Sequence, residues 1–180
     1  PIHSPARFLH IGNLAPIKDQ VSLLRVFKLI HDKIPSVLTI IGEGQMESQI
    51  RKRIDELGLQ DFVTIHPQQP YESMPAFFHN ADVVLHTSLS EGQSEVVTEA
   101  MSCGVMVCGT HVGLMNDLPE CCFAVPPGNN ELLADEVLKI MADQNRRLKI
   151  IRAAHQWATE HSILWTADEI SGVYSEIVRS

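Results

Sequence analysis

The sequence predicts an α/β fold in which helices cover both faces of a doubly wound parallel sheet. Short apolar segments alternate with segments of helical periodicity along the 180 residues, and the connections between them are short. That alternation is typical of right-handed βαβ units, which build a parallel sheet. The hydrophobic content of 44% and the charged content of 20% are those of a globular protein. We therefore expect one Rossmann-like domain over residues 1–180.

The first strands and helices have the clearest patterns. Residues 7–12 read as a strand ending in glycine, and residues 18–31 carry an apolar side chain about every third position, which indicates a helix. Residues 36–42 are predominantly apolar, as expected of a parallel strand covered on both faces. Residues 46–57 form the next predicted helix, and Gly58 closes it in the position that glycine favours after a helix.

The same alternation continues to the end of the chain. Further strands are predicted at residues 62–67, 82–88, 105–110 and 122–126. Further helices are predicted at residues 71–81, 94–103, 130–143, 145–160 and 166–178. We expect the helix at residues 71–81 to be interrupted near Pro75, because proline lacks the N–H that a helix interior requires.

Ligands of doubly wound sheets bind beyond the carboxyl ends of the strands, near the point where the strand order reverses. The loops after Gly12, Gly42, Pro67, Thr87 and Gly109 are therefore the candidate binding loops. In the first of them, Lys18 stands beside a predicted helix start, where free N–H groups and the helix dipole also attract anions. Lys18 could equally be a solvated loop lysine. The Gly-x-Gly after the second strand lacks the third glycine of a dinucleotide motif, and a tight turn explains it as well.

The fourth loop carries two glutamates, Glu91 and Glu99, with seven residues between them. The N–H groups of Gly92, Gln93 and Ser94 would face out of the helix start between them and could bind a hydroxyl or a phosphate oxygen. A carboxylate at Glu99 could accept hydrogen bonds from two adjacent hydroxyls, as on a ribose. The alternative interpretation is an ordinary charged helix start, since glutamates favour the first turn of helices.

The composition argues against several classes of function. A net charge of −8 does not suit a nucleic-acid surface, although it leaves room for a phosphate-bearing small ligand. No apolar run is long enough to span a bilayer, and the histidines lack the spacing of a zinc site. The four cysteines form no Cys-x-x-Cys pair, so we expect reduced thiols and a cytoplasmic setting. The chain begins with proline, which leads us to expect a fragment of a longer protein.

Four segments of the sequence, taken in their order along the chain, resemble those of a known protein family. They are GNLAPIKDQ, LTIIGEGQMESQIRKRIDELGLQDFVTIHP, EGQSEVVTEAMSCGVMVCGTHVG and AVPPGNNELLADEVLKIMAD. Together they resemble the C-terminal, nucleotide-sugar-binding half of a GT-B glycosyltransferase of the retaining family 4 type, also called glycosyl transferases group 1. The third segment is similar to the Glu-x7-Glu motif of that family. The resemblance covers nearly the whole chain and implies a transferase that uses a nucleoside-diphosphate sugar as donor.

The resemblance implies a role for each matching residue. Lys18 matches a lysine that neutralises the diphosphate, whereas Asn13 stands where the family has an arginine. Gly12, in the same loop, is also expected to contact the donor. Glu91 is expected to contact the transferred sugar near its reacting carbon, and Glu99 to hold the ribose hydroxyls. Lys18 and Glu91 are thus the expected catalytic pair. No metal ion or other cofactor is expected.

The resemblance also indicates which residues form the walls of the donor pocket. Gly92, Gln93, Ser94 and Glu95 stand where the family has Gly-Phe-Gly-Leu, so one of its two glycines is replaced. The resemblance also places the nucleobase against the loop after the third strand, at His66 and Gln68 with Pro67 between them. Backbone contacts there would not distinguish a UDP-, GDP- or ADP-linked donor.

The resemblance also implies a partner, because the acceptor of GT-B enzymes binds mainly to an N-terminal domain that these residues do not include. We expect the isolated chain to bind a donor weakly and to transfer nothing. Any association with a membrane would come through that other half or through a lipid acceptor. Two alternatives stay open: a non-catalytic GT-B-like binding module, favoured by Asn13, and a nucleotide-sugar 2-epimerase, which shares the fold.

Overall fold

Six parallel strands form a single sheet in the computed structural model, which describes residues 1–179. The strands are β1 (Ala6–Ile11), β2 (Ser36–Ile41), β3 (Val63–His66), β4 (Val83–His86), β5 (Met106–Thr110) and β6 (Phe123–Val125). Their order across the sheet is β3-β2-β1-β4-β5-β6, and every neighbouring pair is parallel. The predicted doubly wound parallel sheet is therefore confirmed.

Helices follow the strands on both faces of the sheet. They are α1 (Gln20–His31), α2 (Glu47–Glu56), α3 (Met74–His79), α4 (Glu95–Ser102), α5 (Leu114–Asp117), α6 (Asn130–Ala142), α7 (Gln144–Glu160) and α8 (Ile163–Arg179). Within residues 1–179, no helix is both long enough and apolar enough to cross a membrane.

Two hydrophobic cores hold the layers together because adjacent strand residues face opposite sides of a sheet. Phe8 points into the core beneath α1, α2 and α6, where its ring meets that of Phe27 edge-on at a centroid distance of 5.9 Å. Leu9 points into the core beneath α3, α4, α5 and α7. Burying such a side chain contributes about 1.5–3 kcal/mol, so each face of the sheet is firmly covered. The carboxyl ends of the strands remain as the edge where loops can bind a ligand.

The strand order reverses between β1 and β4, and the loops after these two strands are bonded to each other. The N–H of Leu89 donates to the carbonyl of Ile17 at 2.8 Å. The Thr87 hydroxyl donates to the carbonyls of Lys18 and Asp19 at 3.2 and 3.1 Å. The two loops that flank the switch point therefore form one unit.

Two local predictions differ from the structure, each for a physical reason. The interrupted helix predicted at residues 71–81 is a 3-10 turn at Tyr71–Ser73 followed by α3, and Pro75 lies in the first turn of α3, where its missing N–H would have had no partner. Lys18 does not begin α1 but ends a short 3-10 turn, and Asp19 caps the helix by accepting from the N–H of Ser22 at 3.2 Å. The four-residue helix α5 went unpredicted, because so short a segment shows no period.

Candidate functional site

The loops after β1 and β2 pack so closely that glycine is required between them. A Cβ added at Gly42 would lie 2.0 Å from the carbonyl oxygen of Gly12. On the other side of the same loop, a Cβ added at Gly12 would lie 3.7 Å from Cε of Lys18. The Lys18 side chain therefore passes over the end of β1 within van der Waals distance of Gly12, toward the neighbouring strand β4.

The Lys18 ammonium ends on a carboxylate from the β4 loop. Its Nζ lies 2.5 Å from Oε1 of Glu91, and Nε2 of His86 lies 3.3 Å from the same oxygen. The side chains of Lys18 and Glu91 are 21% and 12% exposed, and that of His86 is 1% exposed. Sequence analysis placed Lys18 and Glu91 at one sheet edge, and the structure brings them into direct contact.

This surrounding keeps Glu91 ionised. The hydrogen bond from His86, followed by the one from Lys18, outweighs burial and lowers the pKa of Glu91 from 4.5 to about 2. The nearby Ser88 hydroxyl lowers the pKa of Glu91 further. At neutral pH the site therefore presents a carboxylate whose Oε1 is held by Lys18 and His86.

A second buried histidine supports the loop after β1 from behind. Nδ1 of His10 lies 2.9 Å from the carbonyl of Leu85, which can only accept, so this nitrogen carries the hydrogen. Burial lowers the pKa of His10 to about 4, and the ring is neutral at physiological pH. Nε2 is then an acceptor for the Gln20 amide, 3.4 Å away, and that amide also donates to the carbonyl of Asn13 at 3.0 Å. The backbone at Asn13 is thereby fixed.

The start of α4 carries an unusual backbone. Ser94 has φ 66° and ψ 92°, in the region that favours glycine, and its hydroxyl lies 3.5 Å from Nε2 of His86. The loop after β5 packs on the same segment: a Cβ at Gly113 would lie 2.2 Å from the carbonyl oxygen of Gly92. Gly92 and Gln93 themselves are exposed.

A groove of about 350 Å³ opens beside the Lys18–Glu91 pair. Predicted residues that line it are Gly12, Asn13, Gln68, Glu95 and Glu99. The volume is within the range of small-ligand sites, and backbone from three loops forms its walls. The groove thus runs from the end of β1 to the second turn of α4.

Glu99 lies in this groove and is partly buried. Burial, followed by repulsion from Glu95 one turn earlier on α4, raises the pKa of Glu99 above its ordinary value. A carboxylate in that position gains from ligand hydroxyls that donate to it, because they replace the water it has lost. The two glutamates therefore differ: hydrogen bonds from His86 and Lys18 lower the pKa of Glu91, whereas burial raises the pKa of Glu99 despite a hydrogen bond from Tyr71.

His66 ends β3 but does not line the groove; its ring lies 5.8 Å from that of Phe77. His86, at the end of β4, is a partner of Glu91. His10 was missed altogether. The only signal for these two histidines is a polar residue within or at the end of an otherwise apolar strand.

Potential metal ligands do not converge here. Across the part of the chain that the structure describes, no three His, Cys, Asp or Glu side chains are placed to hold a metal ion.

Comparison with known proteins identifies the family. The model of the family described as "Glycosyl transferases group 1" matches residues 2–157. D-inositol 3-phosphate glycosyltransferase of Pseudarthrobacter chlorophenolicus is 34% identical over 110 residues, which cover 58% of this chain and 26% of the relative. The enzyme of the same name from Mycolicibacterium smegmatis is 29% identical over 180 residues, covering 92% of this chain and 39% of the relative. The chain thus spans less than half the length of these relatives.

Solved structures share the fold. Anabaena HepE in complex with UDP superposes with a TM-score of 0.83 at 23% identity, covering 94% of this chain and 48% of HepE. The C-terminal domain of the group 1 glycosyltransferase LpcC from Francisella tularensis superposes with a TM-score of 0.78 at 18% identity, covering 88% of this chain and 87% of that domain. The chain therefore belongs to the glycosyl transferases group 1 family and has the fold of a C-terminal GT-B glycosyltransferase domain.

Proposed function

We propose that this chain binds the nucleoside-diphosphate sugar donor of a retaining glycosyltransferase. The observation that carries the proposal is the contact of Lys18 with Glu91 at the same sheet edge as the groove that contains Glu99. A cation, a sugar-facing carboxylate and a hydroxyl-accepting carboxylate are the three groups that a diphosphate, a sugar and a ribose require. All three lie at the switch point of the sheet, where such ligands bind.

Lys18 neutralises the diphosphate in this proposal. The ammonium has three hydrogens, so it can turn from Glu91 toward a phosphate oxygen without leaving the loop. The exposed backbone N–H groups of Gly92 and Gln93 add donors for the same anion. Stabilising the departing diphosphate in this way would lower the barrier to glycosyl transfer, and we propose that no metal ion takes part.

The two glutamates bind the other parts of the donor, the transferred sugar and the ribose. Glu91, ionised and fixed by Oε1, accepts a hydroxyl of the transferred sugar through Oε2. Glu99 accepts the ribose hydroxyls within the groove. The nucleobase then lies toward Gln68 on the β3 loop, with His66 behind it.

Known relatives support a nucleotide-sugar donor. Two of the solved structures that share the fold hold UDP with GlcNAc and UDP-glucose, respectively. UDP-linked sugars are therefore the first donors to test, ahead of GDP- and ADP-linked ones. We further propose a cytoplasmic setting, in which the free thiols at Cys103, Cys108, Cys121 and Cys122 are stable. We also propose that the glycosyl transfer serves polysaccharide synthesis.

Transfer requires a second domain in this proposal. The chain spans 26–39% of the curated relatives described above, and the acceptor would bind to the remainder. The isolated chain should therefore bind donor without transferring sugar. Glycosyl transfer by these 180 residues alone would contradict that part of the proposal.

Calorimetric titration tests the binding. UDP, GDP and ADP and their hexose conjugates are titrated into the wild-type chain and into Lys18→Ala and Glu99→Ala. We expect one base to bind saturably and each substitution to weaken it about tenfold or more, the loss of one charge-assisted contact. Lys52→Ala on α2, whose side chain is 76% exposed, is the matched control and should leave binding unchanged.

A non-catalytic module is the second candidate, because Asn13 supplies no cation in the loop where Lys18 stands alone. Failure of every nucleotide to bind would favour it over the transferase. A 2-epimerase would instead release an epimerised sugar from the donor, which proton NMR of the titrated mixture detects.

A further inference from the structure

His86 occupies a position that packing alone does not explain. It closes β4, in the middle of the sheet, and is 1% exposed. Its Nε2 lies 3.3 Å from Oε1 of Glu91 and 3.5 Å from the hydroxyl of Ser94. Its other ring nitrogen, Nδ1, is buried and has no hydrogen-bond partner among the described residues. A buried nitrogen without a partner costs about 1–3 kcal/mol, which an apolar side chain at this position would avoid.

The tautomer follows from these contacts. With the hydrogen on Nε2, the ring donates to the Glu91 carboxylate and leaves only a lone pair unpaired at Nδ1. The N–H edge of the His86 ring, at Nε2, therefore faces Glu91.

The neighbouring strand fixes the main chain of His86. A Cβ added at Gly109 on β5 would lie 1.8 Å from the carbonyl oxygen of His86, so a residue with a side chain does not fit there. The Thr110 hydroxyl lies 3.4 Å from the same carbonyl and donates to that of Ser88 at 2.5 Å. A donor built on a central strand in this way holds its partner more accurately than a donor on a loop.

Glu91 has two donors on one oxygen, and only one of them is free to leave. Lys18 stands on the β1 loop with a long, partly exposed side chain, whereas His86 is buried in the sheet. If the ammonium turns to a diphosphate, His86 still bonds Oε1 and keeps Oε2 directed at the sugar. Ser94 keeps its strained backbone beside this contact, with its hydroxyl oxygen 3.5 Å from Nε2.

We propose that His86 is a positioning residue for the donor sugar: it holds Glu91 in place while Lys18 turns to the diphosphate. The inference rests on the function proposed above and deepens it. The sugar moiety, not the nucleotide, is what depends on His86. This dependence separates a positioning role from a merely structural one.

The test compares His86→Leu with His86→Gln in the whole chain. The Gln amide can reach the Nε2 position and donate to Glu91, whereas Leu fills the space without a donor. For each variant, calorimetry gives two dissociation constants, and their ratio is the Kd of the nucleoside diphosphate divided by the Kd of its sugar conjugate. The ligands are UDP and UDP-glucose, or GDP or ADP and its hexose conjugate if that nucleotide binds instead. We expect His86→Leu to lower this ratio about tenfold, the loss of one charge-assisted hydrogen bond. The Kd of the nucleoside diphosphate should change less than about threefold, and His86→Gln should restore most of the ratio.

Controls and contrary outcomes separate the two proposals. His79→Leu, at an exposed histidine on α3, should leave both constants unchanged. Equal ratios in wild type and His86→Leu, or equal losses in the Leu and Gln variants, would overturn the positioning role while nucleotide binding stands. Wild-type chain that binds the nucleoside diphosphate as tightly as its sugar conjugate would do the same. No nucleotide binding at all would overturn the proposed function itself. If His86→Leu fails to fold in urea titrations, His86→Asn takes its place, since its shorter amide cannot reach Glu91.

Discussion

Lys18 Nζ lies 2.5 Å from Oε1 of Glu91, although 73 residues separate the two in the chain. The cation and the carboxylate on which the proposed mechanism depends therefore bond to each other. In the proposed function, a diphosphate must compete with Glu91 for the ammonium. We therefore expect the contact to lower the affinity for the nucleotide while it keeps both side chains in place for the sugar.

Replacing Glu91 should consequently have opposite effects on two ligands. In Glu91→Gln the neutral amide no longer holds the ammonium, so we expect the nucleoside diphosphate to bind about threefold to tenfold tighter, a gain of roughly 1 kcal/mol. The sugar conjugate should lose its advantage over the free nucleoside diphosphate. Calorimetry of both ligands measures the two effects. Weaker binding of the nucleoside diphosphate in this variant would mean that Glu91 does not compete for Lys18. Glu120→Gln, on an exposed loop, is the control.

The contact should also appear in the pH dependence of folding. The pKa of Glu91 is lowered to about 2 in the folded chain, from 4.5 without the contacts, so the folded state favours the ionised form. The stability gained is complete above about pH 4.5 and is lost as the pH falls toward 2. At pH 7 we expect wild type to exceed Glu91→Gln by about 1 kcal/mol, because both charged groups retain contact with solvent. Urea unfolding at a series of pH values measures the difference. A gap that stayed constant down to pH 2.5 would contradict the assignment.

The fold could be predicted in most of its parts because its strands are apolar on both faces. Apolar composition alone predicts strands of a parallel sheet covered on both faces, as at Val83–His86 and Ser36–Ile41. The meeting of Lys18 with Glu91 was also foreseeable, since the carboxyl ends of parallel strands share one edge. Element boundaries were less accurate, as at Lys18, because a 3-10 turn and a helix start look alike in sequence.

The residues that support Lys18 and Glu91 from behind could not be predicted. On a strand buried on both faces, polar alternation is absent, so nothing in the sequence tells which way His10 or His86 points. The strained backbone of Ser94 is equally hidden, because it follows from the packing of the β5 loop on Gly92. These features depend on distances between loops that only the assembled sheet defines.

Restoring a cation at residue 13 should strengthen nucleotide binding. Asn13 lines the groove, and its backbone is fixed by Gln20, so a longer side chain there can reach an anion without disturbing the loop. We expect Asn13→Arg to tighten the nucleoside diphosphate about tenfold and to increase the salt dependence of its Kd. Asn129→Arg, on the exposed loop before α6, changes the net charge equally and controls for long-range attraction. Equal gains in the two variants would show that the gain does not depend on position 13.

Ser94 should be a site where glycine is more stable than the native residue. Its φ of 66° costs a residue with a side chain about 1–2 kcal/mol, which glycine does not incur. Glycine loses part of this gain through the greater freedom of its unfolded chain, so we expect Ser94→Gly to raise the free energy of unfolding by up to about 1 kcal/mol. Ser102→Gly, at the end of α4 in ordinary helical backbone, should instead lower it by about 0.5–1 kcal/mol. Urea unfolding of the two variants measures both changes. If Ser94→Gly destabilised the chain as much as Ser102→Gly does, the hydroxyl of Ser94 near His86 would contribute more than the strained backbone costs, and the prediction would be wrong.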